Sequence, residues 1–153
     1  MTYTQSPNMT EGEINDLLKE AKVVARFCSH NADGTIHAAP VWFTYEEGKV
    51  LVATPERSVK ARNVRRDGRV TVLVDVHGPP TRGVIVYGEA EIEDELDPRW
   101  GVTLFEKYVD REQAEKMCSR VLGLSKWVRV VVSPTKFASF DYGKDEKWKA
   151  VID

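Results

Sequence analysis

The sequence predicts a mainly β fold, an antiparallel barrel of six or seven strands with a few peripheral helices. Three observations point to it. Short strand-like apolar runs recur along the chain, turn signals such as Asn31-Ala32-Asp33-Gly34 and Glu46-Glu47-Gly48 separate them, and few helical stretches intervene. Strands joined at hairpin spacing favour antiparallel pairing. A closed barrel is one way for such strands to avoid exposed sheet edges.

The elements follow in order from the periodicity of apolar residues. Strands are predicted over 23–30, 35–45, 49–54, 69–76, 83–92, 127–133 and 136–142. A capping box, Thr10-Glu11-Gly12-Glu13, predicts a helix over about 11–22. A second helix begins after Ser58 and ends at Asp67-Gly68. A late helical stretch over about 97–122 has two starts, Asp97 and Asp110. Its apolar stripe, which we interpret as core packing, comprises Ala114, Met117, Cys118, Val121 and Leu122.

Length and composition indicate one soluble domain. The chain has 153 residues, 42% hydrophobic and 30% charged, which is ordinary for a globular protein. We expect a domain over 11–142 between a flexible tail, 1–10, and a charged, loose tail, 143–153. No apolar run approaches the roughly 20 residues that span a bilayer, and no signal peptide is recognisable. We therefore expect a cytoplasmic protein without membrane association.

The charge pattern argues against nucleic acid as a partner. The net charge is −2, and the basic cluster around 57–69 lacks the interleaved aromatic residues that stack on bases. A metal site is also not expected, because Cys28 and Cys118 are 90 positions apart and the three histidines show no ligand spacing. Both cysteines are predicted to be buried free thiols.

The most informative segment is Thr54-Pro55-Glu56-Arg57-Ser58-Val59-Lys60-Ala61-Arg62-Asn63, which follows a predicted strand. Hydroxyls, backbone N–H groups and cations converge there at a helix start. Unpaired N–H donors and the positive end of the helix dipole attract an anion such as phosphate. An ordinary helix cap with solvated basic residues is the alternative interpretation.

The ordered set of motifs resembles the pyridoxamine 5'-phosphate oxidase-like FMN-binding split barrels. The resemblance extends over about 14–142, and no single motif carries it. The matching segments are Asp33-Gly34-Thr35-Ile36-His37-Ala38-Ala39-Pro40-Val41-Trp42-Phe43, Val52-Ala53-Thr54, Ser58-Val59-Lys60-Ala61-Arg62-Asn63, Gly83-Val84-Ile85-Val86-Tyr87-Gly88-Glu89-Ala90 and Arg129-Val130-Val131-Val132-Ser133-Pro134-Thr135-Lys136.

The resemblance implies a homodimer with FMN between the subunits. The strand that matches Ala39, Pro40, Val41 and Trp42 would run beside the flavin ring, with its backbone bonding the ring's polar edge. Positions that match Ala53, Thr54, Ser58 and Lys60 would hold the phosphate. Further candidates are Arg57 as an extra phosphate donor, Asn63 in a binding or structural role, Arg82 and Gly83 near the flavin, and Trp127 and Arg129 near the partner's site.

The sequence departs from that family pattern in ways that bear on function. The arginine that grips the phosphate in the oxidase is replaced by Ala39, and no histidine follows His77. Pyridoxamine phosphate and haem are therefore poor substrate candidates. Deazaflavin-dependent reductases are similar too, and the cations around 57–66 would suit their longer anionic cofactor. A flavin-storing protein without turnover is another alternative. We assign no catalytic residue, because no acid or base is evident at the predicted ring.

Overall fold

A computed structural model describes residues 8–152 of the chain. Its strands are β1 Ala25–His30, β2 Ile36–Val41, β3 Thr44–Glu46, β4 Lys49–Pro55, β5 Arg69–Val76, β6 Arg82–Glu93 and β7 Trp127–Asp141. Its helices are α1 Glu11–Glu20, α2 Val59–Arg66, α3 Pro98–Glu106, α4 Arg111–Leu124 and α5 Glu146–Ile152, with a short 3₁₀ helix at Tyr142–Lys144. The predicted mainly β, antiparallel architecture is confirmed.

The seven strands form one antiparallel sheet in the order β2-β1-β5-β6-β7-β4-β3. Strands β2 and β3 therefore lie at opposite edges of the sheet, yet only Trp42 and Phe43 separate them along the chain. Three Cα–Cα steps reach about 11 Å, so the two edges must come together. The sheet curls into a barrel whose β2–β3 seam carries no ladder of hydrogen bonds within residues 8–152.

The barrel interior is filled by alternate residues of the central strands. Side chains of a strand point to opposite faces in turn, and the inward positions are completely buried at Val50, Val52, Val72, Val74, Val84, Val86, Val130 and Val132. Phe27 and Phe43 fill the remaining space with no exposure. These residues form a first apolar cluster, the barrel core.

Several local motifs of the sequence form the structures that they predict. Thr10 and Glu13 form the predicted capping box at α1. The β3–β4 hairpin turns through Glu47 (φ 52°) and Gly48 (φ 75°). Positive φ at both central residues is the type I′ geometry that suits strand twist, and glycine adopts it without strain. Helices α3 and α4 begin at the predicted caps, Asp97 and Asp110.

Strand boundaries differ from the prediction at two places. The expected strand 35–45 is divided at Trp42–Phe43, because the chain crosses there from one sheet edge to the other. The expected strands 127–133 and 136–142 form one continuous strand, β7. Its register shifts once, opposite Tyr87 and Gly88, so the local irregularity is a bulge rather than a break. The two changes cancel and leave seven strands.

The structure also describes parts of the two stretches that we expected to be tails. Met9 is buried, and its N–H donates to Ser139 Oγ at 2.9 Å; residues 1–7 lie outside the described part. At the other end α5 occupies 146–152, and the rings of Tyr142 and Trp148 lie 5.4 Å apart. Cys118 is buried as predicted, whereas Cys28 is half-buried, and both thiols are free.

Candidate functional site

A pocket of about 330 Å³ lies between the β2 and β4 ends of the barrel and the helix pair α3–α4. Its lining contains six of the twelve residues predicted to bind the cofactor: Pro40, Val41, Trp42, Ala53, Thr54 and Lys60. The remaining lining residues are Pro55, Leu104, Phe105, Met117, Val121 and Trp127. The fold thus brings the β2 strand and the β4–α2 corner together at one cavity, which we call the helix-pair pocket.

Hydroxyls and N–H groups meet at the β4–α2 corner. Ser58 caps α2: its Oγ accepts from the N–H of Ala61 at 3.2 Å and from the hydroxyl of Thr54 at 2.8 Å. Helix geometry leaves the N–H groups of Val59 and Lys60 without intrahelical partners. The corner therefore combines free donors and the positive end of the α2 dipole with Thr54 and Lys60, which line the pocket.

Lys60 is a half-buried cation at the wall of this pocket. It makes no ion pair with any carboxylate of residues 8–152. Burial lowers the pKa of its ammonium group, with no charge partner to offset that effect. An anion placed in the pocket would supply the missing partner.

An aromatic group borders the pocket beside the β2–β3 seam. The Trp42 ring stacks on Tyr108 with centroids 4.5 Å apart and planes 10° from parallel. Phe105 makes a T-shaped contact with the Trp42 ring, with centroids 5.7 Å apart and planes at 78°. The side chain of Trp42 therefore belongs to the helix-pair side of the pocket and not to the barrel core.

The end of α3 also holds the backbone at the seam. Tyr108 Oη accepts from the N–H of Phe43 at 3.2 Å and donates to the carbonyl of Val23 at 2.9 Å. Lys107 Nζ donates to the carbonyl of Phe43 at 3.0 Å and lies 3.7 Å from its ring centroid. Desolvation lowers the pKa of Lys107 to about 8 and raises that of Tyr108. The backbone N–H and C=O of Phe43 are thus both bonded by the two residues that follow α3.

Four predicted site residues near the pocket do not line it. Ala39 is half-buried on β2, and Arg57 is exposed. Ser58 contributes through its contact with Thr54. The amide of Asn63 is used within the fold. Its Nδ2 donates to Ser29 Oγ at 3.1 Å and to Asn31 Oδ1 at 2.9 Å, and its Oδ1 accepts from Arg66 at 2.9 Å.

The other two predicted residues, Arg82 and Gly83, are not brought to this pocket within one chain. They begin β6 and pair with Asp141 and Phe140, whereas the far end of β6 pairs with β7 near Trp127. Gly83 allows close packing, because a Cβ there would lie 2.7 Å from Phe140 Cζ.

Sequence reasoning missed the helix side of the pocket. Met117 and Val121 were interpreted as core packing together with Ala114 and Cys118, but only the latter two are buried. Periodicity marks an apolar face without showing which part of it another element covers. The contacts of Tyr108 with Phe43 span 65 positions, beyond the reach of any local pattern. Trp127, which we expected near a partner's site, lines the pocket of its own chain.

Other kinds of site are less well supported by the described residues. Within 8–152, no three His, Cys, Asp or Glu side chains are grouped closely enough to hold a metal ion. None of the helices in that part of the chain combines the length and apolarity needed to cross a bilayer.

A seven-stranded antiparallel barrel left unbonded along one seam, with a pocket at that seam, defines a split β-barrel. Residues 10–137 match the family model described as pyridoxamine 5'-phosphate oxidase. The chain therefore belongs to the pyridoxamine 5'-phosphate oxidase family, and the resemblance inferred from its motifs is confirmed.

Solved structures share this fold. A conserved hypothetical protein of Mycobacterium tuberculosis is 27% identical, with a TM-score of 0.74 over 93% of this chain and 92% of that one. An F420 reductase is 21% identical (TM-score 0.60, 80% and 94%). An FAD-binding protein of Mesorhizobium loti is 20% identical (TM-score 0.62, 89% and 97%). None of the curated proteins matches the chain.

Proposed function

We propose that this protein binds FMN in the helix-pair pocket and acts as a flavin-dependent oxidoreductase. The observation that carries the proposal is Lys60, a half-buried cation without an ion-pair partner among the described residues, set beside the hydroxyls and N–H groups of the β4–α2 corner. Solved relatives named as an FAD-binding protein and an F420 reductase favour a cofactor of the flavin type.

The corner fits the phosphate of a mononucleotide. Lys60 would supply the positive charge, the hydroxyls of Thr54 and Ser58 the side-chain hydrogen bonds, and the first turn of α2 the N–H donors. A hydrogen bond to a charged group contributes about 1.5–3 kcal/mol. Two or three of them would anchor the cofactor without the arginine that Ala39 replaces. Arg57 is exposed next to Ser58 and is a further donor in this proposal.

The β2 strand fits the ring. It is an edge strand paired only with β1 among the described elements, so part of the backbone of Ala39, Pro40, Val41 and Trp42 faces the seam without ladder partners. These N–H and C=O groups would bond the polar edge of the flavin, and Ala53 would pack below it. When bound, the flavin supplies hydride or electron transfer; the protein binds, orients and shields it.

FMN is favoured over a deazaflavin because two of the nearby arginines already have partners within the fold. Arg65 pairs with Asp94 at 3.0 Å, and Arg66 donates to the carbonyl of His30 at 2.6 Å and to Asn63. Both arginines are thus engaged in the fold and are less available for a long anionic tail. A deazaflavin-dependent reductase is the alternative.

A homodimer completes the site in this proposal. The pocket, about 330 Å³ and open on one side, is at the small end of the range for ligand sites, roughly 300–1,000 Å³. A second copy would cover the exposed part of the cofactor, and Arg82 and Gly83 are candidates for that contribution. We place the protein in the cytoplasm, with a small molecule as electron donor or acceptor.

The substitution Lys60→Ala tests the phosphate site. We expect FMN affinity to fall at least tenfold, since one charge-assisted hydrogen bond is lost, while the circular dichroism spectrum stays unchanged. Arg62→Ala is the control, because Arg62 is exposed on the same helix. Affinity is measured by fluorescence titration with FMN. Equal FMN affinity in Lys60→Ala and the wild type would contradict the proposal.

The purified protein also distinguishes the alternatives. Release of FMN on denaturation supports the proposal, and release of a deazaflavin supports the reductase alternative. Oxidation of NADH or NADPH above the rate with free FMN separates an enzyme from a flavin-storing protein. A colourless protein that binds neither cofactor would exclude both.

A further inference from the structure

The helix-pair pocket has two chemically different sides. Its barrel side carries Lys60 and Thr54, whereas the opposite side is formed by Leu104, Phe105, Met117 and Val121 of α3 and α4 and by Trp127 at the start of β7. We call these last five residues the helix wall. Among the described residues that line the pocket, Lys60 alone is charged.

Part of the apolar surface of the helix wall is exposed and available for contact with a ligand. Met117, Val121 and Trp127 are only half-buried, although they border a cluster whose centre, at Leu104, is closed to solvent. Packing in a protein interior normally leaves few gaps larger than a water molecule. An open cavity bordered by such side chains is therefore a place for an apolar molecule.

Within the described residues, the helix wall itself carries no cation. The basic residues within three positions of it in sequence, none of which lines the pocket, are Lys107, Lys116, Arg120, Lys126 and Arg129. Four of them have partners elsewhere: the Phe43 carbonyl for Lys107 at 3.0 Å, Glu112 for Lys116 at 2.8 Å, Glu56 for Lys126 at 3.3 Å, and Glu93 for Arg129 through two bonds of 2.7 and 2.9 Å. Arg120 is exposed on α4. An anionic group on this side of the pocket would have to be buried without a counter-charge, which is costly.

We propose that the helix wall is the substrate subsite and that it takes a neutral, apolar ring compound rather than a phosphorylated or carboxylated one. As a substrate site this rests on the proposed function. Lys60 serves the cofactor phosphate, and the substrate ring packs against Phe105, Met117 and Val121 beside the flavin. The apolar side chains of this wall set the specificity.

The experiment compares two ligands with the same ring, 1-naphthol and 1-naphthyl phosphate. Their affinities are measured by isothermal titration calorimetry at neutral pH, with the protein saturated with FMN so that Lys60 is occupied. We expect 1-naphthol to bind at least tenfold more tightly than 1-naphthyl phosphate. Equal affinities, or tighter binding of the phosphate, would overturn the proposal.

Variants of Val121 test whether this preference belongs to the helix wall. Val121→Asp places a charge in the wall, and Val121→Phe fills the cavity without one; the second variant retains an apolar residue if the first fails to fold. Both should lower the affinity for 1-naphthol at least tenfold. Ser119→Asp adds the same charge at an exposed position of α4 and should leave it unchanged. Unaltered binding in folded Val121→Phe would refute the assignment.

Two further measurements separate this inference from the proposed function. If 1-naphthol competes with FMN, the helix wall belongs to the cofactor and the substrate assignment is wrong. If FMN does not bind at all, the proposed function fails, and the affinity ratio is then measured in Lys60→Met, which removes the lysine charge from the pocket lining. If Lys60→Met binds 1-naphthol at least tenfold more tightly than 1-naphthyl phosphate, the helix wall is still a site for neutral apolar rings. If Lys60→Met shows no such preference, that claim is overturned too.

Discussion

The two apolar clusters of this protein differ in how completely they are closed. In the barrel core, valines from β4, β5, β6 and β7 are fully buried together with Phe27. In the helix-pair cluster only Leu104, Phe105, Ala114 and Cys118 are buried, and most of the apolar residues around them are partly exposed. Strand ladders hold the barrel together on every side except the β2–β3 seam, whereas the helix pair meets the barrel across a pocket. The difference indicates that the barrel supplies stability and the helix pair supplies a place for ligands.

The largest expected effect comes from emptying the closed cluster. Phe27→Ala should lower the free energy of unfolding by about 3–5 kcal/mol, because a large buried ring is lost and a cavity remains. Met117→Ala, at the half-buried helix wall, should cost less than half as much. Urea unfolding monitored by circular dichroism measures both. Equal losses of unfolding free energy would show that the helix-pair cluster is packed as tightly as the barrel core. The proposed difference between the two clusters would then be wrong.

A smaller loss of stability is expected from Tyr108, which contacts both the barrel core at Phe43 and the helix-pair cluster at Trp42. Tyr108→Phe keeps the ring on Trp42 but removes the hydroxyl that accepts from Phe43 N–H and donates to Val23 O. Leaving buried backbone groups unpaired costs about 1–3 kcal/mol. We therefore expect a loss of that size in the free energy of unfolding.

The control for this change is Tyr87→Phe. Tyr87 is 38% exposed on β6, and a surface substitution of this kind usually alters stability by less than about 0.5 kcal/mol. If Tyr108→Phe were as stable as the control, the hydroxyl would not hold the seam. The near-ultraviolet signal of Trp42 should persist in Tyr108→Phe, because the stacked ring remains.

The difference between the clusters also explains what the sequence could predict. Alternation of valines is a local signal with a period of two residues, and it located the strands of the barrel. The cap at Ser58 and the neighbouring Thr54 and Lys60 are local too, so one side of the pocket was identified from residues within seven positions of one another.

The rest depends on contacts between distant segments. Phe43 meets Lys107 and Tyr108 across 64 and 65 positions, and Asn63 finds its partners 32 and 34 positions away. No period or motif marks such pairs. The break at Trp42–Phe43 was missed for the same reason. It follows from the closure of the sheet, since the residues on both sides keep strand character.

The smallest expected effect is a pH dependence that originates at Lys107. Burial lowers the pKa of this lysine to about 8 from 10.5, so between these values the unfolded chain binds the proton that the folded chain has lost. Stability then rises with pH across the window, because the unfolded state binds more protons. Burial raises the pKa of Tyr108, so its hydroxyl stays neutral over most of this range. The rise is modest because Lys107 is only half-buried and solvent screens its charge.

Lys107→Met isolates this contribution, because it keeps an apolar stem against Phe43 and removes the titrating group. The free energy of unfolding of the wild type should increase relative to that of Lys107→Met between about pH 8 and pH 10.5. Lys19→Met, which removes an exposed lysine of α1, is the control and should leave the pH profile of the wild type unchanged. Parallel pH profiles of the wild type and Lys107→Met would mean that Lys107 is hydrated in solution. The segment that follows α3 would then be as accessible to water as the helix wall. The closed part of the molecule would end at the β2–β3 seam.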